Sequence, residues 1–501
     1  MSAKLLSSMI GAVPFTGIDP MITGITCDSR AVEKGFLFAA LKGQNADGRD
    51  FIEQAIKRGA IAILTDDRAI GDIPENVACI QSEQPRQLYA QLAARLYERQ
   101  PEHIVAVTGT NGKTSVASFT AQIWHALGQV SASLGTLGLH SDVLRIEGAM
   151  TTPDASVLFN VLAKAQEAGV THLAMEASSH GLDQGRLAGV HLSAAAFTNL
   201  TRDHLDYHGT MEIYAKAKSL LFSKALETGG SAIINTDSDY ADTMIEAAKT
   251  SGAKIVLYGR DESCSLYLKK REMTPAGQKL SLRVFGHDFE VALPLIGSFQ
   301  AENALCALGL VLSDETVLNE KLEQAVLALE KLTPVGGRLE RVEGHPLGAA
   351  VFVDYAHTAD ALAQVIKAVR PHAKGRVIAL FGCGGDRDRG KRPAMGNVAY
   401  EQADIGILTD DNPRGEDPVQ IRNDVMSALP EGQDRVLEVA GREQAIEKAL
   451  SLAEADDIVL ITGKGHEQGQ TIKGETFPFD DRLVTKAKLK KLAVKTERKS
   501  G

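Results

Sequence analysis

The sequence predicts an α/β protein of three domains, each built on a doubly wound or mostly parallel sheet. Two observations predict this class. Short apolar runs alternate with helical stretches along the chain, the order that makes parallel sheets with helices on both faces. Charged or glycine-rich clusters then follow those runs repeatedly, at the strand ends where open sheets bind ligands. A chain of 501 residues has room for about two to four domains. Breaks between motifs place three: residues 1–98, 99–332 and 333–501.

The first domain sets apolar runs at 35–41 and 60–64 around a helical stretch at 51–58, a small α/β unit. The central domain opens with the buried-strand pattern His103–Thr108. That run enters a glycine-rich turn and then a helix from Ser115 to about Leu127. Further strands are expected at His172–Glu176, 194–198 and 232–235. Residues 332–337 carry turn chemistry and read as a linker. The third domain repeats the doubly wound pattern, with strands at 349–353, 376–381, 405–409 and Ile458–Thr462, and is Rossmann-like. Lysines between Lys486 and Lys499 alternate with apolar residues and read as the polar face of a last helix.

Composition narrows the function. With 44% hydrophobic and 24% charged residues the chain is ordinary globular protein. A net charge of -10 leaves no basic footprint for nucleic acid and no polybasic membrane segment. No apolar run approaches the ~20 residues of a membrane span. The five cysteines, Cys27, Cys79, Cys264, Cys306 and Cys383, are scattered and form no Cys-x-x-Cys pair. That pattern fits a reducing compartment. The first residues lack the apolar core of a signal peptide. A cytoplasmic protein without membrane insertion or a nucleic-acid partner is expected.

The strongest chemical signal is the segment Gly109, Thr110, Asn111, Gly112, Lys113, Thr114, Ser115, which follows a strand and opens a helix. Its backbone N–H groups and helix N-terminus form a phosphate cradle, and Lys113 reaches the outer phosphates. Thr114 is placed to ligate Mg²⁺. The usual pattern wants glycine where Val107 stands, so the loop is a variant. Glu176 ends a strand of the same domain, where a carboxylate can hold a magnesium ion against phosphates. After another strand, Asp203, His204, Asp206 and His208 crowd into six residues and read as a second metal-binding element. Lys216 and Lys218 lie on a helix, and composition alone makes them solvated surface lysines. In the third domain, charged clusters begin at Asp354, Gly382, Asp410 and Gly463, each after a buried strand. Four such clusters in one domain outline a cleft for a zwitterionic or anionic substrate.

Together these segments resemble the Mur ligases over essentially the whole chain, and within them the type that adds the third residue of the peptidoglycan stem peptide. The variant loop is shared with folylpolyglutamate synthetase. More specific are residues 199–209, 354–358, Gly-Gly-Asp-Arg-Asp at 384–388 and Asp-Asn-Pro-Arg at 411–414. The resemblance implies an ATP-dependent ligase that forms an acyl phosphate and gives it to an amine. It implies ATP contacts from residues 109–115, Asn303, Arg338 and Asp354. Glu176 and His204 would help hold Mg²⁺, and Lys218 would support a second metal as a carbamate (N6-carboxylysine); Lys216 does not align with that lysine. Cys27, Ser29, Gln44, Asn45 and Ala46 of a UDP-binding first domain would meet the UDP part of the acceptor. Thr151, Thr152, Ser178, Gln184 and Arg186 would meet its muramoyl dipeptide. The implied acceptor is UDP-N-acetylmuramoyl-L-alanyl-D-glutamate and the implied amine meso-diaminopimelate. Arg387, Asp411, Asn412, Pro413, Arg414, Gly463 and Glu467 would receive that amine. The partners are then small molecules, and a monomer is expected. Gln300 stands where relatives often carry Asn, which leaves a detail of adenine contact open. The alternatives are an L-lysine-adding ligase of the same family and a nucleotide-binding regulatory protein without turnover.

Overall fold

The computed structural model describes residues 3–43, 46–66, 72–148, 150–274 and 277–500. Three sheets organise the chain. The first has five strands in the order Phe15–Thr16, Ala78–Gln81, Ala60–Thr65, Phe36–Ala39, Gly24–Thr26, and only the short Phe15–Thr16 edge runs antiparallel. Helices Ile52–Arg58 and Pro85–Tyr97 accompany it.

The second sheet has eleven strands. Its parallel centre runs Ser131–Gly135, His172–Glu176, His103–Thr108, Leu192–Phe197, Leu226–Asn235, Lys254–Gly259. The inner strands His172–Glu176, His103–Thr108 and Leu192–Phe197 are almost wholly buried, because helices cover both faces, and so they read as continuous apolar runs. Helix Lys113–Ala126 packs Val116, Phe119 and Ile123 into one core with Ala301 and Leu305 of helix Ser298–Val311. The helix begins at Lys113, two residues before the expected start, because its first turn is the phosphate loop itself. Further strands extend both edges: an antiparallel pair at one, and at the other Leu266–Thr274, which joins in parallel and is followed by two antiparallel strands. The longer extension, Leu266–Thr274, Gly277–Val284 and His287–Leu293, was not anticipated, since residues such as Lys269, Lys270 and Glu272 break its apolar pattern.

The third sheet has six strands in the order Glu340–Val342, Ala350–Asp354, Ile458–Thr462, Val377–Cys383, Ile405–Asp410, Val436–Glu438. Each face has its own hydrophobic core. Parallel register puts Asp354 beside Thr462 and Cys383 beside Asp410, so the four charged clusters leave one edge together. The terminal lysines lie on helix Asp481–Ser500, as expected. No helix among the described residues is long and apolar enough to cross a membrane.

Candidate active site

The phosphate loop joins strand His103–Thr108 to helix Lys113–Ala126. Two glycines make it possible. A Cβ on Gly109 (φ +153°) would lie 1.9 Å from Thr198 Oγ1, and one on Gly112 (φ +89°) would lie 2.4 Å from Asn303 Oδ1. The loop is therefore pressed between the next strand end and a helix. Val107, where the usual pattern has glycine, is a fully buried strand residue, and Gly109 takes the sharp turn instead. Lys113 Nζ donates to the carbonyls of Gly109 and Thr110, both at 2.9 Å, which holds the ammonium inside the loop.

Helix Met211–Leu220 buries Tyr214, Ala215, Ala217 and Lys218 on one face. Lys216 points outward, as composition predicts, whereas Lys218 is 1% exposed and corrects that reading. The helical spacing turns its side chain under the loop, where Nζ donates to Gly109 O at 2.8 Å and lies 4.5 Å from the Tyr214 ring centre. Burial, with Lys113 nearby, pushes the Lys218 ammonium well below the usual lysine range.

Glu176 is 2% exposed and has no cation within ion-pair distance among the described residues. It accepts from Thr136 N at 2.9 Å and from Thr136 Oγ1 at 3.4 Å. Thr136 and Thr151 share a hydroxyl contact of 2.9 Å, and Thr152 Oγ1 donates to Glu176 O. His204 adopts a left-handed backbone (φ +54°). Partial burial lowers its imidazole below the usual histidine range against the pull of Asp203, which favours the neutral ring with a lone pair to donate. A buried unpaired carboxylate, a neutral imidazole and the Thr114 hydroxyl are hard and borderline donors that fit a divalent cation.

The opposite wall comes from beyond residue 332. Arg338 Nη2 donates to Thr114 Oγ1 at 3.1 Å, and its guanidinium stacks 4.4 Å over the Tyr355 ring. Both Asp354 oxygens accept backbone N–H groups, of Leu339 and Ala356, each at 2.7 Å, which fixes the turn carrying Arg338. Asn111 Nδ2 reaches Asp360 across the same junction at 3.1 Å. Gln300 is buried and its Oε1 accepts from Asn303 Nδ2 at 3.0 Å, so it orients the residue beside Gly112. A cavity of about 180 Å³ results; Thr110–Ser115, Thr151, Glu176, His204, Asn303, Arg338 and Asp354 all line it. A second cavity, of about 350 Å³, opens on the other side of Asn111 and Gly112 against Asn199, Asp237, Phe299 and Asn303.

The residues expected to meet the amine converge at the ends of the third sheet. Gly385 N donates to Asn412 O, and Arg414 Nη1 to Gly385 O, both at 2.9 Å. Arg414 has a left-handed backbone (φ +52°), and burial with the nearby Arg387 guanidinium holds it below the usual arginine range. Among the described residues neither Arg387 nor Arg414 has a carboxylate within ion-pair distance. Asn412 is already engaged: Nδ2 donates to Glu467 Oε2 at 2.9 Å, and Oδ1 accepts from Thr471 N at 3.0 Å. Pro413 O would lie 1.9 Å from a Cβ on Gly385, and Gly463 packs beside Arg442 and Asp411.

Among the residues expected to meet the acceptor, Ser178 caps helix Ser179–Asp183. Arg186 links Gln184 Oε1, at 2.7 Å from Nη2, to Thr152 O, at 2.6 Å from Nη1. Cys27 Sγ donates to Asp154 Oδ2 at 3.3 Å, and burial pushes the thiol up to about 12. Ser29 Oγ lies 3.4 Å from Gln54 Oε1, and Ala46 O accepts from Gly43 N. Gln44 and Asn45 lie outside the described residues.

Three family models match the chain: "Mur ligase family, catalytic domain" over residues 21–100, "Mur ligase middle domain" over 107–311 and "Mur ligase, glutamate ligase domain" over 337–465. A protein of Caulobacter vibrioides named UDP-N-acetylmuramoyl-L-alanyl-D-glutamate–2,6-diaminopimelate ligase is 47% identical over 95% of this chain and 97% of its own length. The chain belongs to the Mur ligase family. A Brucella melitensis protein of the same name is 48% identical over 93% of this chain and 94% of its own. A solved structure of a UDP-N-acetylmuramoyl-L-alanyl-D-glutamate–2,6-diaminopimelate ligase matches this Mur ligase with a TM-score of 0.68 at 35% identity, over 98% of this chain and 99% of that one. MurF ligase from Thermotoga maritima in complex with ADP shares the fold, with a TM-score of 0.62 at 17% identity over 95% and 98%.

Sequence reasoning missed part of this Mur ligase's surface. Lys42, Arg86 and Lys224 line a third cavity, of about 380 Å³, with Gln184, between the first and second sheets. They come from three distant segments, so no local motif announces them. The sequence also assigns no role to Tyr214 or Tyr355, whose rings pack against Lys218 and Arg338.

Proposed function

We propose that this Mur ligase uses ATP to join meso-diaminopimelate to the D-glutamate γ-carboxylate of UDP-N-acetylmuramoyl-L-alanyl-D-glutamate, in peptidoglycan precursor synthesis. The observation that carries the reading is the single cavity in which the phosphate loop, Glu176 and His204 face Arg338 and Asp354. A carboxylate oxygen of the acceptor attacks the γ-phosphorus of ATP, the bond to the bridging oxygen breaks, and ADP leaves. The amine nitrogen then attacks the acyl carbon, loses a proton, and inorganic phosphate departs. Lys113, the loop N–H groups and Arg338 neutralise the charge spread over the transferring group. Mg²⁺, held by Thr114, Glu176, His204 and a carbamylated Lys218, supplies further neutralisation of the phosphates when bound. Residues 109–115, Asn303, Arg338 and Asp354 hold the nucleotide. Cys27, Ser29, Gln44, Asn45 and Ala46 meet the uridine diphosphate, and Thr151, Thr152, Ser178, Gln184 and Arg186 the dipeptide. Arg387 with residues 411–414, Gly463 and Glu467 selects the amine. The domains divide at 98/99 and 332/333, between the three sheets.

The deciding experiment supplies ATP and the UDP-muramoyl dipeptide with meso-diaminopimelate or L-lysine, and measures phosphate and ligated product. Phosphate release is expected only with acceptor and amine together, and product with diaminopimelate. Comparable efficiency with L-lysine overturns the choice of amine.

Lys218 supplies a separate prediction. A neutral buried amine is the form that adds carbon dioxide, and the carbamate is an anion able to face a metal. Lys218→Ala is expected to lose most activity and to regain part of it with added formate or acetate. An unmodified ammonium in a crystal of the active, metal-bound enzyme overturns the carbamate.

A further inference from the structure

We propose that Lys464 is a positioning residue for the amine site, aiming Glu467 at the substrate ammonium without touching substrate itself; this rests on the reading that Asn412, Arg414 and Glu467 receive the amine. Lys464 is 0% exposed and stands in the turn after strand Ile458–Thr462. A lysine side chain fully out of water needs partners for its N–H groups, and these partners define what it does. Nζ donates to Asn412 Oδ1 at 3.0 Å and to Glu467 Oε2 at 2.9 Å. It also faces Asp411 Oδ1 at 3.8 Å, a buried oxygen with no hydrogen-bond partner of its own. One cation thus ties together two loops that leave different strands of the third sheet.

The pattern at Glu467 gives this cation its role. Oε2 accepts from both Lys464 Nζ and Asn412 Nδ2, each at 2.9 Å. Oε1 has no hydrogen-bond partner among the described residues, and the side chain is 31% exposed. One oxygen is anchored and the other is left to the opening. With the carboxylate held at one end it cannot swing, so its free oxygen is fixed as an acceptor for an incoming ammonium. Removing the cation leaves Asp411 and Glu467 as neighbouring acidic groups; the buried Arg442 guanidinium, fixed on Asp481 through Nε and Nη2, stays near them but makes no hydrogen bond to Glu467. Glu467 then rotates toward water, and the amine loses a preorganised contact.

Steady-state kinetics of Lys464→Met, Lys464→Gln, Glu467→Gln and the Lys464→Met/Glu467→Gln double variant test this. Lys464→Met is expected to raise KM for meso-diaminopimelate at least about tenfold, the effect of one lost charge-assisted contact, while KM for ATP and for the UDP-acceptor stays within about twofold. The double variant is expected to be no worse than the poorer single one, because both changes remove the same aimed carboxylate. Lys464→Gln keeps a donor without the charge and is expected to fall between wild type and Lys464→Met; if the methionine variant does not fold, it carries the comparison alone. An unchanged KM for diaminopimelate in the Lys464 variants, beside a raised one in Glu467→Gln, overturns the role of Lys464 alone. So does a uniform loss across all three substrates that adds to that of Glu467→Gln, since that marks a purely structural lysine. If Glu467→Gln and Arg414→Ala both leave KM for diaminopimelate unchanged, the amine-site reading itself fails.

Discussion

Lys113→Ala is expected to lower kcat by at least about 10³-fold while leaving the fold intact, since removing one preorganised donor from a transition-state cradle costs about 10²–10³-fold and this donor also carries charge. Its ammonium sits inside the loop on the carbonyls of Gly109 and Thr110, within reach of the cavity that Glu176 and Arg338 also line. Nothing in the hydrophobic cores depends on it. Circular dichroism and the melting temperature should therefore match wild type, while trapping of the acyl phosphate with hydroxylamine should give almost no hydroxamate. Near-normal turnover in this variant overturns the nucleotide site.

Arg414→Ala is the second large effect. Two guanidiniums, the exposed Arg387 and the partly buried Arg414, stand together with no carboxylate within ion-pair distance among the described residues, and the partial burial of Arg414 makes that costly. On the proposed reading a carboxylate on the distal carbon of diaminopimelate resolves it, and L-lysine has none to offer. Losing such a contact costs about 3 kcal/mol, so kcat/KM for meso-diaminopimelate is expected to fall about 100-fold. The poor reaction with L-lysine should change little, which collapses the preference. An Arg414→Ala enzyme that still prefers diaminopimelate as strongly as wild type refutes the assignment.

Much of this architecture was legible because buried parallel strands are written as unbroken apolar runs. His103–Thr108, His172–Glu176 and Ile458–Thr462 have the same bounds in sequence and structure. Strands Leu266–Thr274 and His287–Leu293 escaped because the exposed charges Lys269, Lys270, Glu272, Asp288 and Glu290 interrupt their apolar pattern. The chemical clusters were legible for a related reason, since each follows a strand that must end at the ligand edge. What they pair with was not. Sequence cannot tell Lys216 from Lys218 by composition, because one helical step decides which of them is buried. Nor can it tell that Asn412 spends its amide on Glu467 and Thr471, a matter of how two loops meet in space.

The junction between Arg338 and Thr114 has a further consequence. The groups proposed to handle phosphate hang mainly from one sheet and those proposed to choose the amine from another, and each sheet has cores of its own. Labour is thereby divided between two independently editable halves. A lineage can trade one nucleophile for another by rewriting loops on the third sheet, with no change to the machinery that spends ATP. Conversely, the short connector through residues 332–337 is a single point of failure, because activity depends on how the two halves meet as well as on either half alone.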